Sequence, residues 1–151
     1  MAWLLHCLAG LSPAQRQAMV YGDWSVKDVL AHLAAWDREL ARAIDELLAG
    51  QLPTFVQYAT RAGEAAFNAR AVEASRAMPF AQALAELREA HEALMGQIEA
   101  LTDEQWERAT AYRWGNRTPM TIASLFDYSY KGQTHYGGHA QEIERWAAHR
   151  R

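Results

Sequence analysis

His135 and His139 stand four residues apart in His135-Tyr136-Gly137-Gly138-His139. On a helix, this i, i+4 spacing sends both imidazoles to one face, so two metal ligands arrive already aligned. A third histidine, His32, lies about a hundred residues upstream, in a segment that begins Trp24-Ser25-Val26-Lys27-Asp28. Three neutral imidazoles brought together would hold one divalent ion and leave a coordination position open for chemistry. Such an ion lowers the pKa of a bound thiol or water, so the chemistry on offer is a nucleophile generated at neutral pH. Peptide hydrolysis is disfavoured, because Tyr136 stands where an HExxH motif carries its general-base glutamate. The plainer alternative is a set of core histidines satisfied by hydrogen bonds, since an i, i+4 pair is not specific alone.

The elements that must position these residues read as helices. Ser25 is a strong N-cap, with Asp28 three residues on, and the helix it starts runs to about Leu48, where Gly50 and Pro53 stop it. Val29, Leu33, Trp36, Leu40, Ile44 and Leu47 recur at helical spacing, and His32 shares a face with Val29, Trp36 and Ala43, so it points inward. The last helix is expected from Thr118-Pro119 to about Ala148, with Leu125, Tyr128, Gly132, His135, His139, Ile143 and Trp146 on one stripe. Gly132, one turn before His135, would leave room above a metal, and Gly137 and Gly138 would permit close helix contact or a kink. Glu39 and Asp28 near the His32 face, and Tyr128 near His135, are candidate proton carriers, although Asp28 doubles as a cap. Trp36 and Tyr136 are candidates to line a ligand pocket.

Further helices are expected over Ala2 to Leu8, Arg61 to Arg76 and Phe80 to Leu101, with short turns at Ser12-Pro13 and Thr102 to Trp106. His91 falls on the apolar stripe of the Phe80 helix with Leu84, Leu87, Leu94, Met95 and Ile98. It reads as a hydrogen-bonded core histidine, and as the fourth protein ligand if the metal site were structural and closed.

The 151 residues, half of them hydrophobic, suit a single domain spanning residues 1–151. Abundant alanine and scarce β-branched residues favour an all-α antiparallel bundle over a sheet. A net charge of −3, with His149-Arg150-Arg151 as the only basic run, argues against nucleic acid as a partner. No stretch approaches the apolar length of a membrane span, and Met1 to Leu11 lacks the basic start of a signal peptide. The single cysteine, Cys7, cannot form an internal disulfide, which fits a cytoplasmic location.

The segment Gly22 to Trp36, with its Trp-Ser-Val-Lys-Asp and His32, resembles the first signature of the DinB/YfiT-like superfamily, in the flavour of its ClbS/DfsB-like branch. Tyr130 through Trp146, with both histidines and Gln141-Glu142-Ile143, resembles the closing signature, and the loop Trp114 to Thr118 also fits. The resemblance implies an up-down-down-up four-helix bundle, here with a short first helix, and a three-histidine site for zinc, nickel or a similar ion. By position those ligands are His32, His135 and His139. Relatives in that superfamily include bacterial low-molecular-weight thiol S-transferases, a mycothiol-dependent isomerase and detoxifying resistance proteins that open electrophilic rings. The implied function is activation of a thiol or water against a small electrophile, as a thiol S-transferase or hydrolase. The competing class is a non-catalytic stress-response or binding bundle with a structural or vacant metal site. The short first segment, which leaves part of a bundle groove uncovered, points to a homodimer.

Overall fold

Ser25 opens the longest helix of the chain through a reciprocal cap: its hydroxyl accepts from Asp28 N–H, and the Asp28 carboxylate accepts from Ser25 N–H at 2.8 Å. The computed structural model describes residues 1–150, Tyr21 by its backbone alone; Arg151, the end of the basic tail, lies outside the described residues. In chain order the elements are α1 (Ala2–Ala9), α2 (Pro13–Gln17), strands β1 (Met19–Tyr21) and β2 (Trp24–Ser25), α3 (Val26–Leu48), a 3-10 turn (Thr54–Tyr58) and α4 (Arg61–Ser75). There follow α5 (Phe80–Glu99), α6 (Asp103–Glu107), a second 3-10 turn (Ala123–Phe126) and α7 (His135–Ala148).

This is the all-α bundle expected, with a first helix of 8 residues. The unexpected addition is the tiny antiparallel β1–β2 hairpin, which turns through Gly22 at φ +50° and delivers the chain to the Ser25 cap. Helix α3 is the axis of the molecule: it packs along α5, along α4 and against α7, while α1 packs on α7. Ser75 Oγ, at the end of α4, lies 3.1 Å from Asp28 Oδ1 and ties that helix to the start of α3. No helix among the described residues is long and apolar enough to cross a membrane.

Two apolar clusters sit at opposite ends of α3. Val26, Val29, Leu30 and Leu33 pack with Leu4, Leu8, Leu87 and Ile143; Ala43, Ile44 and Leu47 pack with Leu94, Met120, Ile122 and Leu125. Between them α3 turns His32, Trp36, Asp37 and Leu40 towards a cavity rather than a packed core. On α5, Leu87 and Leu94 are buried as the stripe predicts, but Met95 is 39% exposed and lies off the core.

The last helix is shorter than its periodicity suggested. It begins at His135, capped by Thr134, whose side chain accepts from Gly137 N–H. Upstream, Thr110 and Tyr112 pair with Met120, so residues after Pro119 are held extended. Lys131 and Gly132 then take φ of 54° and 74°, between Tyr130 and Gln133, which exchange two backbone hydrogen bonds. Two successive positive φ values make a tight hairpin turn and cannot belong to a right-handed helix. Gly132 therefore serves that turn and not a space above a metal, and Leu125 and Tyr128 are not on the face of α7.

Candidate metal centre

His32 sits two turns into α3, far enough from the capped end for its position to be rigid. His135 and His139 occupy the first turns of α7. The pair keeps its i, i+4 alignment despite the late helix start, because both members lie on the C-terminal side of the Thr134 cap.

These three rings meet at the edge of the first apolar cluster. His32 Nε2 and His135 Nε2 are 2.9 Å apart, and one ligand nitrogen from each of the three histidines lies within 4.8 Å of the others. His32 and His139 are 4% and 3% exposed. Burial first, then the neighbouring imidazoles, hold His32 down at about 2. Burial followed by His139 holds His135 at about 3, and burial followed by the Lys131 ammonium holds His139 at about 4. All three are thus neutral at pH 7, the state in which imidazole ligates metal. His32 Nδ1 is buried without a well-formed hydrogen bond, a cost of roughly 1–3 kcal/mol when nothing satisfies it. A close set of neutral nitrogen donors, His32 and His139 buried and His135 half-buried, fits a borderline-soft divalent ion.

Behind the rings stands the carboxylate of Glu142, a member of the closing signature to which the spacing gave no separate role. His139 Nδ1 is 3.2 Å from Glu142 Oε2, one turn along α7. That oxygen makes no well-aligned hydrogen bond, while Oε1 takes Tyr130 Oη at 3.2 Å and the Lys131 ammonium. The i, i+3 spacing of His139 and Glu142 was a usable signal, since a carboxylate behind a ligating histidine fixes its tautomer. Close packing of the tight turn on α7 holds this assembly: a Cβ on Gly138 would come within 2.3 Å of Tyr130 Cδ1.

In front of the rings lies a cavity of about 710 Å³ with mainly aromatic and aliphatic walls. Trp36 and Tyr136 both line it, as does Tyr128. The Trp36 indole N–H donates to Asn68 Oδ1 at 2.9 Å. Tyr128 is 52% exposed, and its ring centroid is 5.6 Å from that of His135; it reaches the site from the segment before the turn rather than along a helical face. Burial, then Glu64, raises the proton affinity of its phenol. Glu39 is not brought to the cavity: its carboxylate pairs with Arg42. Asp28 is engaged in the α3 cap.

His91 is not a fourth ligand. Its Nδ1 is 3.2 Å from Asp37 Oδ2, and among the described residues only His32, His135 and His139 form the metal-competent group. Asp37, 3% exposed, also accepts the hydroxyl proton of Tyr136. Asp37 lies four residues after Leu33 and three before Leu40, so helical spacing was a usable signal for its inward direction; its partners on α5 and α7 are set only by packing.

A family model described as mycothiol maleylpyruvate isomerase N-terminal domain matches residues 2–129, a span that includes His32 and ends before His135 and His139. No curated protein and no solved structure matches the chain.

Proposed function

Because the chain belongs to the mycothiol maleylpyruvate isomerase N-terminal domain family, a DinB/YfiT-like four-helix family, we propose that it is a metal-dependent enzyme that joins a low-molecular-weight thiol to a small electrophile. The observation that carries this reading is the trio of neutral imidazoles facing a cavity, His32 and His139 buried and His135 half-buried, with no fourth protein ligand among the described residues. A site open on one side suits chemistry, whereas a structural site is closed by four protein ligands.

His32, His135 and His139 would hold the ion, with zinc or nickel suited to the all-nitrogen set. When bound, the ion supplies a lowered pKa to a thiol, or to water in the hydrolytic variant of the reaction. The protein's own residues do the rest. Glu142 orients the His139 ring from behind. Trp36 and Tyr136 form walls that keep water from the reacting atoms, and Asn68 fixes the Trp36 ring. Tyr128 keeps the proton on Oη at neutral pH, so it acts as a donor to charge that develops beside His135 and not as a base. The mycothiol in the family's name supports the thiol over water as nucleophile.

The test is metal analysis of the purified protein followed by thiol consumption with a panel of bacterial thiols and a generic aryl or epoxide electrophile. One divalent ion per chain and metal-dependent loss of thiol are expected, with both abolished in His135→Ala. Stoichiometric metal without thiol consumption would count against the transferase, and a metal-free protein would count against the site itself.

A further inference from the structure

The cavity holds a second polar centre that the chemistry above leaves unused. Asp37 projects from α3, His91 from α5 and Tyr136 from α7, and all three line the cavity. Tyr136 donates its hydroxyl proton to Asp37, and His91 Nδ1 lies 3.2 Å from Asp37 Oδ2. An acceptor at that edge of the imidazole places the ring proton on Nδ1. Nε2, on the opposite edge, then carries the free lone pair. His91 keeps about a quarter of its side chain accessible, while Asp37 is almost wholly buried. A histidine whose one nitrogen is locked by a buried carboxylate, and whose ring borders a ligand cavity, has the construction of a general base with its orienting partner.

We propose that His91 Nε2 is the proton carrier for the substrate in this cavity, with Asp37 as the residue that positions it. This inference rests on the thiol-transfer reading above. The step balances without a further reactant. The thiol S–H proton passes to His91 Nε2, and the sulfur electron pair forms the new S–C bond. The bond broken in the electrophile leaves its pair on the departing or ring-opened atom, and His91 returns the proton there. No electron is gained or lost overall. Among the described residues, the titratable groups facing His91 are Asp37 from α3 and Tyr136 from α7.

Two measurements test this. Imidazole nitrogen NMR on the intact wild-type protein is expected to show His91 as the Nδ1–H tautomer, and Asp37→Asn to lose that preference. In thiol-transfer assays, His91→Gln is expected to lower kcat about a hundredfold, with KM and metal content near wild type, and to flatten the acidic limb of the pH–rate profile. An Nε2–H tautomer in the wild type overturns the proposal even if no activity is found. So does a His91→Gln protein that turns over at the wild-type rate with an unchanged pH profile. A wild-type protein that loads metal and consumes no thiol instead overturns the function proposed above, which keeps the two failures apart.

Discussion

His32 is 4% exposed, and its Nε2 lies 2.9 Å from His135 Nε2 rather than against an apolar side chain. Imidazole nitrogens turned on one another mark a polar site set into the core and not packing alone. Glu142 is its complement, a carboxylate within 3.2 Å of the far side of His139. Glu142→Ala is expected to weaken zinc affinity by about 10–100-fold while leaving the helical content intact, as measured by competition with a chromogenic chelator. Unchanged affinity would remove Glu142 from the site. The imidazoles also set a pH dependence. All three are held below the ordinary 6.5 in the folded chain, so the unfolded chain binds more protons once pH drops below that value. Their contribution is therefore fully present above about pH 6.5 and declines as pH falls towards the folded values of about 2 to 4. Chelator-treated protein should lose up to about 1.4 kcal/mol per pH unit for each imidazole in this window. In urea titrations at several pH values, His32→Gln should reduce that slope by one imidazole's share; an unaltered slope would contradict the buried, neutral state.

Among the elements, α7 shows how a helix can be correctly identified and wrongly started. Residues upstream of it carry apolar periodicity, but Lys131 and Gly132 at positive φ commit the chain to a tight turn, and Thr134 then caps a new helix. The consequence is close contact between that turn and the first coils of α7. A Cβ at Gly138 would lie 2.7 Å from the Tyr130 carbonyl oxygen as well as against its ring. Backbone cannot yield as a flexible side chain does, so Gly138→Ala is expected to cost about 1–3 kcal/mol in chemical denaturation and to weaken metal binding. Gly137→Ala is the control: the atoms it would meet within 3.4 Å belong to the Thr134 and Gln133 side chains, and its effect should be smaller. Equal effects would show that glycine flexibility, and not the Tyr130 contact, is what matters there.

Across the whole molecule, two apolar clusters hold the helices at either end, and the chamber between them, walled mainly by aromatic and aliphatic side chains around the three histidines, is where close packing has been given up. A ligand that bridges α3 and α7 in this chamber should stabilise the whole bundle by mass action. Adding zinc to chelator-treated protein at about a hundred times its Kd should raise Tm by roughly 5–10 °C in a thermal melt, and His135→Ala should abolish the rise. A melt indifferent to zinc would show that no ion binds preferentially to the folded chain.

The all-helical architecture, the Ser25 start of α3 and the inward direction of His32 could all be read from the chain alone, because caps and a 3.6-residue period are local physics. The alignment of His135 with His139 was local too, and so survived the error in where α7 begins. Only tertiary packing decided the remainder. It set aside Glu39, whose carboxylate found Arg42, and drew His91 to Asp37 instead of to the three clustered histidines. It also put Glu142 behind His139 and opened a chamber in the middle of the core. These outcomes depend on which groups from separate helices come within a few ångströms of each other. Contacts at that range are governed by the docking of α3, α5 and α7, which no periodicity within a single helix encodes.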